Sequence, residues 1–141
     1  MEIRLISTRE DFEKAFNLLN QKEYALSFYE YFLKHDQYSK NHSAKLIGVF
    51  KKNIDQEGGR SDDCVGSLSY RLITCKDLGR ILEVKEIYYK DIKAYESLLD
   101  FLDDVAVDEM CNSIKICKNQ AERMNFSIFD KVENYFKNLN F

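Results

Sequence analysis

The stretch from Gly79 to Cys111 constrains the fold more than any other part of the sequence. Residues 82–89 alternate and are rich in β-branched and aromatic types, as in a strand. Apolar residues then recur at the spacing of one helical face, at Tyr95, Leu98, Leu99, Leu102 and Ala106. A strand that runs directly into such a helix brings loop N–H groups and the positive end of the helix to one place. This stretch therefore predicts the geometry of an anion site.

Further strands and helices are predicted on both sides of this stretch. The apolar patterns predict strands at residues 2–7, 44–51, 64–74 and 113–118, and helices over about 24–35 and 126–139. Another helix follows Thr8, because Thr8 and Asp11 form a T-x-x-D start. Residues 52–63 carry glycines and charges and predict an exposed hairpin loop. The helix over 24–35 is rich in aromatic residues, so its rings are either covered on two sides or line a groove.

Length and charge limit the classes of protein that fit. With 141 residues the chain is expected to form one domain, residues 1–141, and its net charge of -3 with mixed signs gives no basic stripe for nucleic acid. No apolar run approaches the roughly 20 residues that cross a membrane, and the first residues lack signal-peptide features, which predicts a cytoplasmic protein. Four cysteines without a C-x-x-C pair, and only two histidines, favour free thiols over a metal site.

Short motifs also follow one another in a characteristic order. They are Gly48-Val49-Phe50, then Val65-Gly66 with Tyr70-Arg71, then Gly79-Arg80 before Glu86, then Leu98-Leu99, and finally the segment Ala106–Cys111. This order resembles the GNAT (GCN5-related N-acetyltransferase) family over nearly the whole chain. The resemblance implies an α/β (α+β) fold in which a mixed, mostly antiparallel twisted sheet of about five to six strands is flanked by about four helices. The family's closing C-terminal strand is expected to be missing, which would leave a sheet edge open for a homodimer.

The same resemblance implies acetyl-CoA as cofactor and an amine-bearing acceptor, either a small molecule or a protein. The family's phosphate motif, R-x-x-G-x-G/A, differs here, because Lys90 replaces the arginine and Lys93 and Tyr95 replace the glycines. The implied cofactor-binding residues are Ile87, Tyr88, Lys90, Lys93 and Tyr95. Two interpretations stay open at this motif. Either the lysines hold phosphate by charge, or Asp91 caps the helix, Tyr95 enters the core and Lys93 faces solvent.

Catalytic candidates come from the central strand and the last helix. Glu83 and Glu86 could act as a general base if burial raises a carboxyl pKa. Strand alternation predicts that they point to opposite faces, so only one can serve. The resemblance favours Glu86, and the alternative is an exposed strand glutamate paired with a neighbouring lysine. For the thiolate donor the resemblance points to Phe136, so Tyr135, one residue earlier, is the catalytic candidate although it lies about 100 degrees away around the helix.

Departures from the family pattern at the phosphate motif, the general base and the thiolate donor predict a GNAT-like protein with lost or weakened acetyltransferase activity. The sequence leaves open whether it is an enzyme. A working but divergent N-acetyltransferase, a non-catalytic protein-binding or self-associating module, and an unrelated small α/β domain are the alternatives.

Overall fold

Six strands and three helices make up the described part of the chain, which is residues 1–20, 26–54, 60–116 and 137–138 of a computed structural model. The strands are β1 (Glu2–Leu5), β2 (Lys45–Ile54), β3 (Arg60–Cys75), β4 (Gly79–Tyr89), β5 (Ser113–Ile116) and β6 (Lys137–Asn138). The helices are α1 (Arg9–Asn20), α2 (Phe28–His42) and α3 (Ile92–Asp108). The sheet follows chain order, and every neighbouring pair is antiparallel except β4 and β5, which are parallel. The predicted fold class is confirmed.

The helix starts follow their caps. The backbone N–H of Asp11 donates to Thr8 Oγ1 over 3.1 Å, as the T-x-x-D motif predicted. The prediction for α2 was wrong at both ends. Ser27 and Glu30 form a reciprocal capping box, so the helix begins at Phe28, and it continues to a left-handed Ser43 (φ 55°).

The C-terminal prediction also needs correction where the structure describes it. Most of the predicted helix over 126–139 lies outside the described residues, but Lys137–Asn138 form strand β6 instead of the end of that helix. β6 pairs antiparallel with Ser113 and Ile114 of β5. A two-residue strand therefore occupies the edge that was expected to be empty. The physical reason is that N–H and C=O groups on a bare edge need partners.

A β-bulge in β4 changes the direction of its side chains. Ser69 of β3 lies opposite Glu86, and Tyr70 lies opposite Val84, so Lys85 is an extra residue. One extra residue reverses the alternation of faces beyond it. Glu83 and Glu86 therefore lie on the same face of the sheet, and the prediction that they point to opposite faces was wrong.

The core lies on both faces of the sheet. Helix α3 covers one face with its buried stripe of Tyr95, Leu98, Leu102 and Ala106. It approaches β3 closely at Gly66, where an added Cβ would lie 3.2 Å from Leu98 Cδ1. Helices α1 and α2 lie on the opposite face, and Phe12, Phe16 and Tyr31 meet there in edge-on and tilted ring contacts. The central strands of the sheet are thus covered by helices on both faces.

Helix α3 ends at a residue with left-handed backbone. Met110 has φ 57°, and the N–H of Cys111 donates to the carbonyl of Ala106 over 2.8 Å. This is the geometry of a Schellman motif, in which glycine usually takes the left-handed position. The family motif that the segment Ala106–Cys111 resembles, A-x-x-x-G-C, has glycine where this chain has Met110, so Met110 bears the backbone cost that glycine avoids.

Candidate functional site

A polar groove lies between α2 and the bulge of β4. Its volume is about 420 Å³, and it is lined by Lys34, His35, Gln37, Tyr38, Asn41, His42, Ser69, Lys85 and Glu86. In a regular strand, consecutive side chains point to opposite faces, but the bulge lets the consecutive residues Lys85 and Glu86 both line the groove beside α2. The groove therefore joins the candidate base of the central strand to the polar side of the aromatic helix.

Glu86 is the buried carboxylate of this groove, with 4% of its surface exposed. Lys34 Nζ donates to its Oε1 atom, and His35 Nε2 lies 3.4 Å from its Oε2 atom. Glu86 does pair with a lysine, but that lysine lies on α2, 52 positions away in the sequence, and the carboxylate is buried rather than exposed, so the alternative of an exposed glutamate with a neighbouring lysine does not describe it. A buried carboxylate of this kind depends on its cation, because an unpaired charge in the interior is costly.

His35 brings a neutral imidazole to the same carboxylate. Burial lowers the pKa of His35 to about 3, and the positive charge of Lys34 adds to the effect. The Nε2 atom of His35 and the Oγ atom of Ser69 are both buried, and neither has a hydrogen-bond partner among the described residues. Ser69 lies directly across the strand pair from Glu86. Three polar groups thus meet at one end of the groove.

Glu83 has a different environment and a different role. Arg71 Nε donates to its Oε1 over 2.9 Å, and Lys85 Nζ lies 3.6 Å from the same atom. Although burial opposes ionisation, the hydrogen bond from Arg71 and these charges hold the pKa of Glu83 below its usual value. A carboxylate held in this way is a poor base near neutral pH. Of the two candidates, Glu86 therefore remains the better placed.

The junction of β4 and α3 has little loop. The N–H of Lys90 donates to the carbonyl of Val65 over 2.8 Å, which extends the β-ladder past Tyr89. Asp91 is the N-cap, and its side chain accepts from the N–H of Ala94 over 2.9 Å. Helix α3 begins at the next residue. The positions that the resemblance assigns to a glycine loop therefore lie in the first turn of a capped helix.

The side chains that replace the glycines have structural surroundings. Tyr95 is 2% exposed, its ring centroid lies 4.8 Å from that of Tyr89, and burial raises its pKa to about 12. Lys93 is exposed on the first turn of α3. Lys90 lines a separate cavity of about 440 Å³ beside α1, with Lys14 and Cys64 among its walls. The structure agrees with the interpretation in which Asp91 caps and Tyr95 is core, and it does not bring Lys90 and Lys93 into one cavity.

The remaining predicted site residues lie on β4 or beyond the described chain. In the pairing of β4 with β3, Ile87 lies opposite Leu68 and Tyr88 lies opposite Ser67. The side chains of Ile87 and Tyr88 are buried on opposite faces of the sheet. On the other side of β4, the described part of β5 pairs only from Ile81 to Val84. The β4 edge over residues 85–89 therefore has no described strand beside it, and an extended ligand could lie there. Tyr135 lies outside the described residues.

Acetyl-CoA fits this junction poorly. A pyrophosphate is held at a helix N-terminus by free N–H groups and benefits from the positive helix end. Here the N–H of Ala94 donates to Asp91 and that of Lys90 donates to Val65. The Asp91 carboxylate also brings a negative charge to the place where a phosphate would lie.

The described residues can also be compared with the requirements of a metal site and of a membrane-spanning helix. Over residues 1–20, 26–54, 60–116 and 137–138, no cluster of three or more His, Cys, Asp or Glu side chains could hold a metal ion. In the same part of the chain, no helix combines the length and apolar character needed to cross a membrane. Cys64, Cys75 and Cys111 are free thiols, and Cys117 lies outside the described residues.

Sequence reasoning missed Lys34, His35 and Ser69. No motif marks them, because their role depends on the bulge at Lys85 and on the position of α2 over the sheet. The Ser27 capping box was the one available signal, since a helix that starts at Phe28 places Tyr31 and His35 on one buried face.

Comparison with known proteins identifies structural neighbours. No protein-family model matches the sequence, and no curated protein matches it significantly. A GNAT family acetyltransferase from Staphylococcus aureus is 14% identical, with a TM-score of 0.62 over 99% of this chain and 94% of that chain. A transcriptional regulator from Bacillus halodurans is 13% identical, with a TM-score of 0.63 over 99% and 97%. An acetyltransferase from Trypanosoma brucei is 14% identical, with a TM-score of 0.59 over 82% and 81%. At these identities the likeness shows a shared fold.

Proposed function

We propose, starting from the GNAT acetyltransferase fold that this chain has, that it is an acyltransferase-like protein whose acetyl-CoA binding and N-acetyl transfer are weakened or lost. The groove at Glu86 keeps a place for an amine-bearing ligand. The observation that carries the proposal is the N-cap of α3, where the chain's own Asp91 carboxylate accepts from Ala94.

The argument from the cap rests on charge and on donors. A helix N-terminus offers a few free N–H groups and a partial positive charge, and both attract phosphate. When a side-chain carboxylate already takes one donor and lies at the same end, a phosphate has fewer donors and meets a like charge. Lys93 adds a side chain where the family motif has glycine. The Asp91 carboxylate and the side chain in place of glycine both weaken the backbone contacts to phosphate, and the exposed Lys93 ammonium returns only a screened attraction.

The argument at the groove concerns the base. N-acyl transfer needs a group that takes a proton from the attacking amine, and acetyl-CoA, when bound, would supply the thioester. Glu86 is buried beside a neutral His35 and faces an open groove, which suits a base. Its Oε1 atom, however, is already bonded to Lys34. An oxygen atom that already accepts a hydrogen bond from an ammonium is not free to take the proton of an attacking amine, which again favours weak activity.

Thermal unfolding with and without acetyl-CoA at about 1 mM tests the proposal. A cofactor with a dissociation constant of about 10 μM would add about 2.7 kcal/mol and raise the melting temperature by several degrees. We expect a shift of less than about 1 °C. A shift of several degrees, with acetylation of a model amine detected by mass spectrometry, would overturn the proposal.

A second candidate function is protein binding through α2. Tyr29 is 70% exposed and Leu33 is partly exposed beside it, and Phe32 keeps 39% of its surface exposed although its ring packs edge-on against Phe12. Apolar side chains grouped in this way favour contact with a second protein or a second copy of this chain. Sedimentation velocity of the wild type and of Tyr29→Ser/Leu33→Ser separates the two cases. Association that the variant abolishes would support this function, and a monomer over the whole concentration range would exclude self-association.

A further inference from the structure

The chain places one of its own primary amines in the groove. Lys34 Nζ is bonded to Glu86 Oε1, while 43% of the Lys34 side chain is exposed and the rest lines the groove wall. An amine on a flexible stem with an open path to solvent can leave and return. The carboxylate it contacts is almost completely buried. Lys34 thus satisfies a charge that an external ammonium could also satisfy.

The surrounding atoms suit an ammonium group in particular. A primary ammonium has three N–H donors and no acceptor. Besides the Oε2 atom of Glu86, the groove end presents His35 Nε2 and Ser69 Oγ, both buried and without a hydrogen-bond partner among the described residues. Neutral His35 can accept at Nε2 in one tautomer, and a serine hydroxyl can always accept. Unsatisfied buried polar atoms of this kind call for a partner.

The charges of the groove point the same way. Of the described side chains that line the groove, Glu86 is the one carboxylate, and Lys34 and Lys85 are the cations. Lys85 lies 3.6 Å from Glu83, which is itself bonded to Arg71. Glu86 is therefore the place in the groove where a cationic ligand gains most.

We propose that Glu86, His35 and Ser69 form a binding site for a primary ammonium group, and that Lys34 occupies this site in the ligand-free chain as an internal competitor. The inference rests on the proposed function only in that an amine-bearing ligand uses this groove, and it needs no acetyl-CoA. An external ammonium binds by displacing Lys34 Nζ into solvent. The same contact that stabilises the empty protein then lowers its affinity for amines.

Chemical rescue tests the competition. Lys34→Ala removes three methylene groups and the ammonium, so a short primary alkylammonium, n-butylammonium chloride, is the probe and tetramethylammonium chloride, which has no N–H, is its control. We expect Lys34→Ala to melt at a lower temperature than the wild type. Butylammonium should restore much of this loss, with an apparent dissociation constant at least tenfold lower than for the wild type, and tetramethylammonium should not. Lys40→Ala, which breaks a 2.9 Å ion pair with Asp36 on the same helix, is the matched control and should show no rescue.

Two further variants make the test decisive. In Lys34→Ala/Glu86→Gln the buried charge is gone, so the rescue should disappear, and in Lys34→Ala/Ser69→Ala it should weaken. If Lys34→Ala does not fold, Lys34→Met keeps the apolar stem and takes its place. Equal rescue by both cations, or rescue that survives Glu86→Gln, would overturn the site. Equal butylammonium affinity in the wild type and Lys34→Ala would overturn the competition. The acetyl-CoA melting experiment reports separately on the proposed function.

Discussion

Restoring a phosphate cradle at the start of α3 should restore acetyl-CoA binding if the capped helix is what prevents it. The perturbation is Asp91→Ser/Lys93→Gly. Serine keeps a neutral N-cap acceptor for the N–H of Ala94, and glycine removes the side chain at the second helical position. Tyr95 is left in place because it is a buried core residue, and truncating a buried aromatic side chain costs about 3 to 5 kcal/mol.

The size of the effect follows from the charge that is removed. A carboxylate at roughly 5 Å from a phosphate is repelled by about 0.8 kcal/mol in bulk water and about 3 kcal/mol at an effective dielectric constant of 20. The midpoint of this range is about 1.9 kcal/mol. Loss of the exposed Lys93 ammonium, which attracts phosphate, offsets about 0.5 kcal/mol of it, and the remaining roughly 1.4 kcal/mol corresponds to about a tenfold gain in affinity. The stability loss is smaller. Exchanging one good cap for another costs a few tenths of a kcal/mol, and glycine in place of lysine costs about 1 kcal/mol.

Isothermal titration calorimetry measures the result. We expect the double variant to bind acetyl-CoA at least tenfold more tightly than the wild type. Its affinity for inorganic pyrophosphate should also rise, and its affinity for uncharged pantetheine should not. Asp91→Ser/Lys93→Ala is the matched control. It loses the same charges but keeps a Cβ, so it should share the gain that comes from charge and lack any further gain that comes from glycine. A folded double variant whose affinity for acetyl-CoA stays within twofold of the wild type would refute the reasoning.

Three smaller predictions test other parts of the structure. Met110→Gly should raise the free energy of unfolding by about 0.5 to 1 kcal/mol in chemical denaturation, because it relieves a left-handed backbone at φ 57°, and an unchanged midpoint would contradict this. Because the folded pKa of His35 is about 3 and the unfolded value is 6.5, the unfolded chain binds the proton first, so stability should fall as pH drops below 6.5 toward 3. For His35→Gln, the free energy of unfolding should depend less steeply on pH in that window, by up to about 1.4 kcal/mol per pH unit. Equal slopes for the variant and the wild type would count against the buried neutral imidazole. Iodoacetamide should label Cys75 faster than Cys64 in peptide mass mapping, because backbone N–H groups of the following turn lower the pKa of the partly exposed Cys75 thiol and burial raises that of Cys64 to about 12.

Local patterns were enough to predict most of the fold. The helical stripe of α3 and the T-x-x-D start of α1 depend on neighbouring residues only, and both were confirmed. The interpretation of Asp91 as a cap and Tyr95 as core followed from the same short-range logic. These features are local because a cap or an amphipathic face is formed within a few residues.

The groove could not be predicted because it depends on long-range register. A single extra residue at Lys85 puts Glu83 and Glu86 on one face, and nothing in the alternation of residue types marks it. Lys34 reaches Glu86 across 52 positions of sequence, on a helix whose start was predicted too early. Pairing between distant segments is set by tertiary packing, which a single sequence does not display.

The two ends of the site follow one physical rule. In an acyltransferase, an anionic cofactor would lie at the start of α3 and a cationic acceptor would lie at Glu86. Here the chain supplies both charges itself, with the Asp91 carboxylate at the helix N-terminus and the Lys34 ammonium on the buried carboxylate. An empty site would otherwise leave helix N–H groups and a buried charge unpaired, at a cost to stability. Internal groups that remove this cost also raise the free energy needed to bind a ligand, since the ligand must first displace them. On the two proposals above, stability without ligands and weak affinity for them would both follow from these two internal contacts.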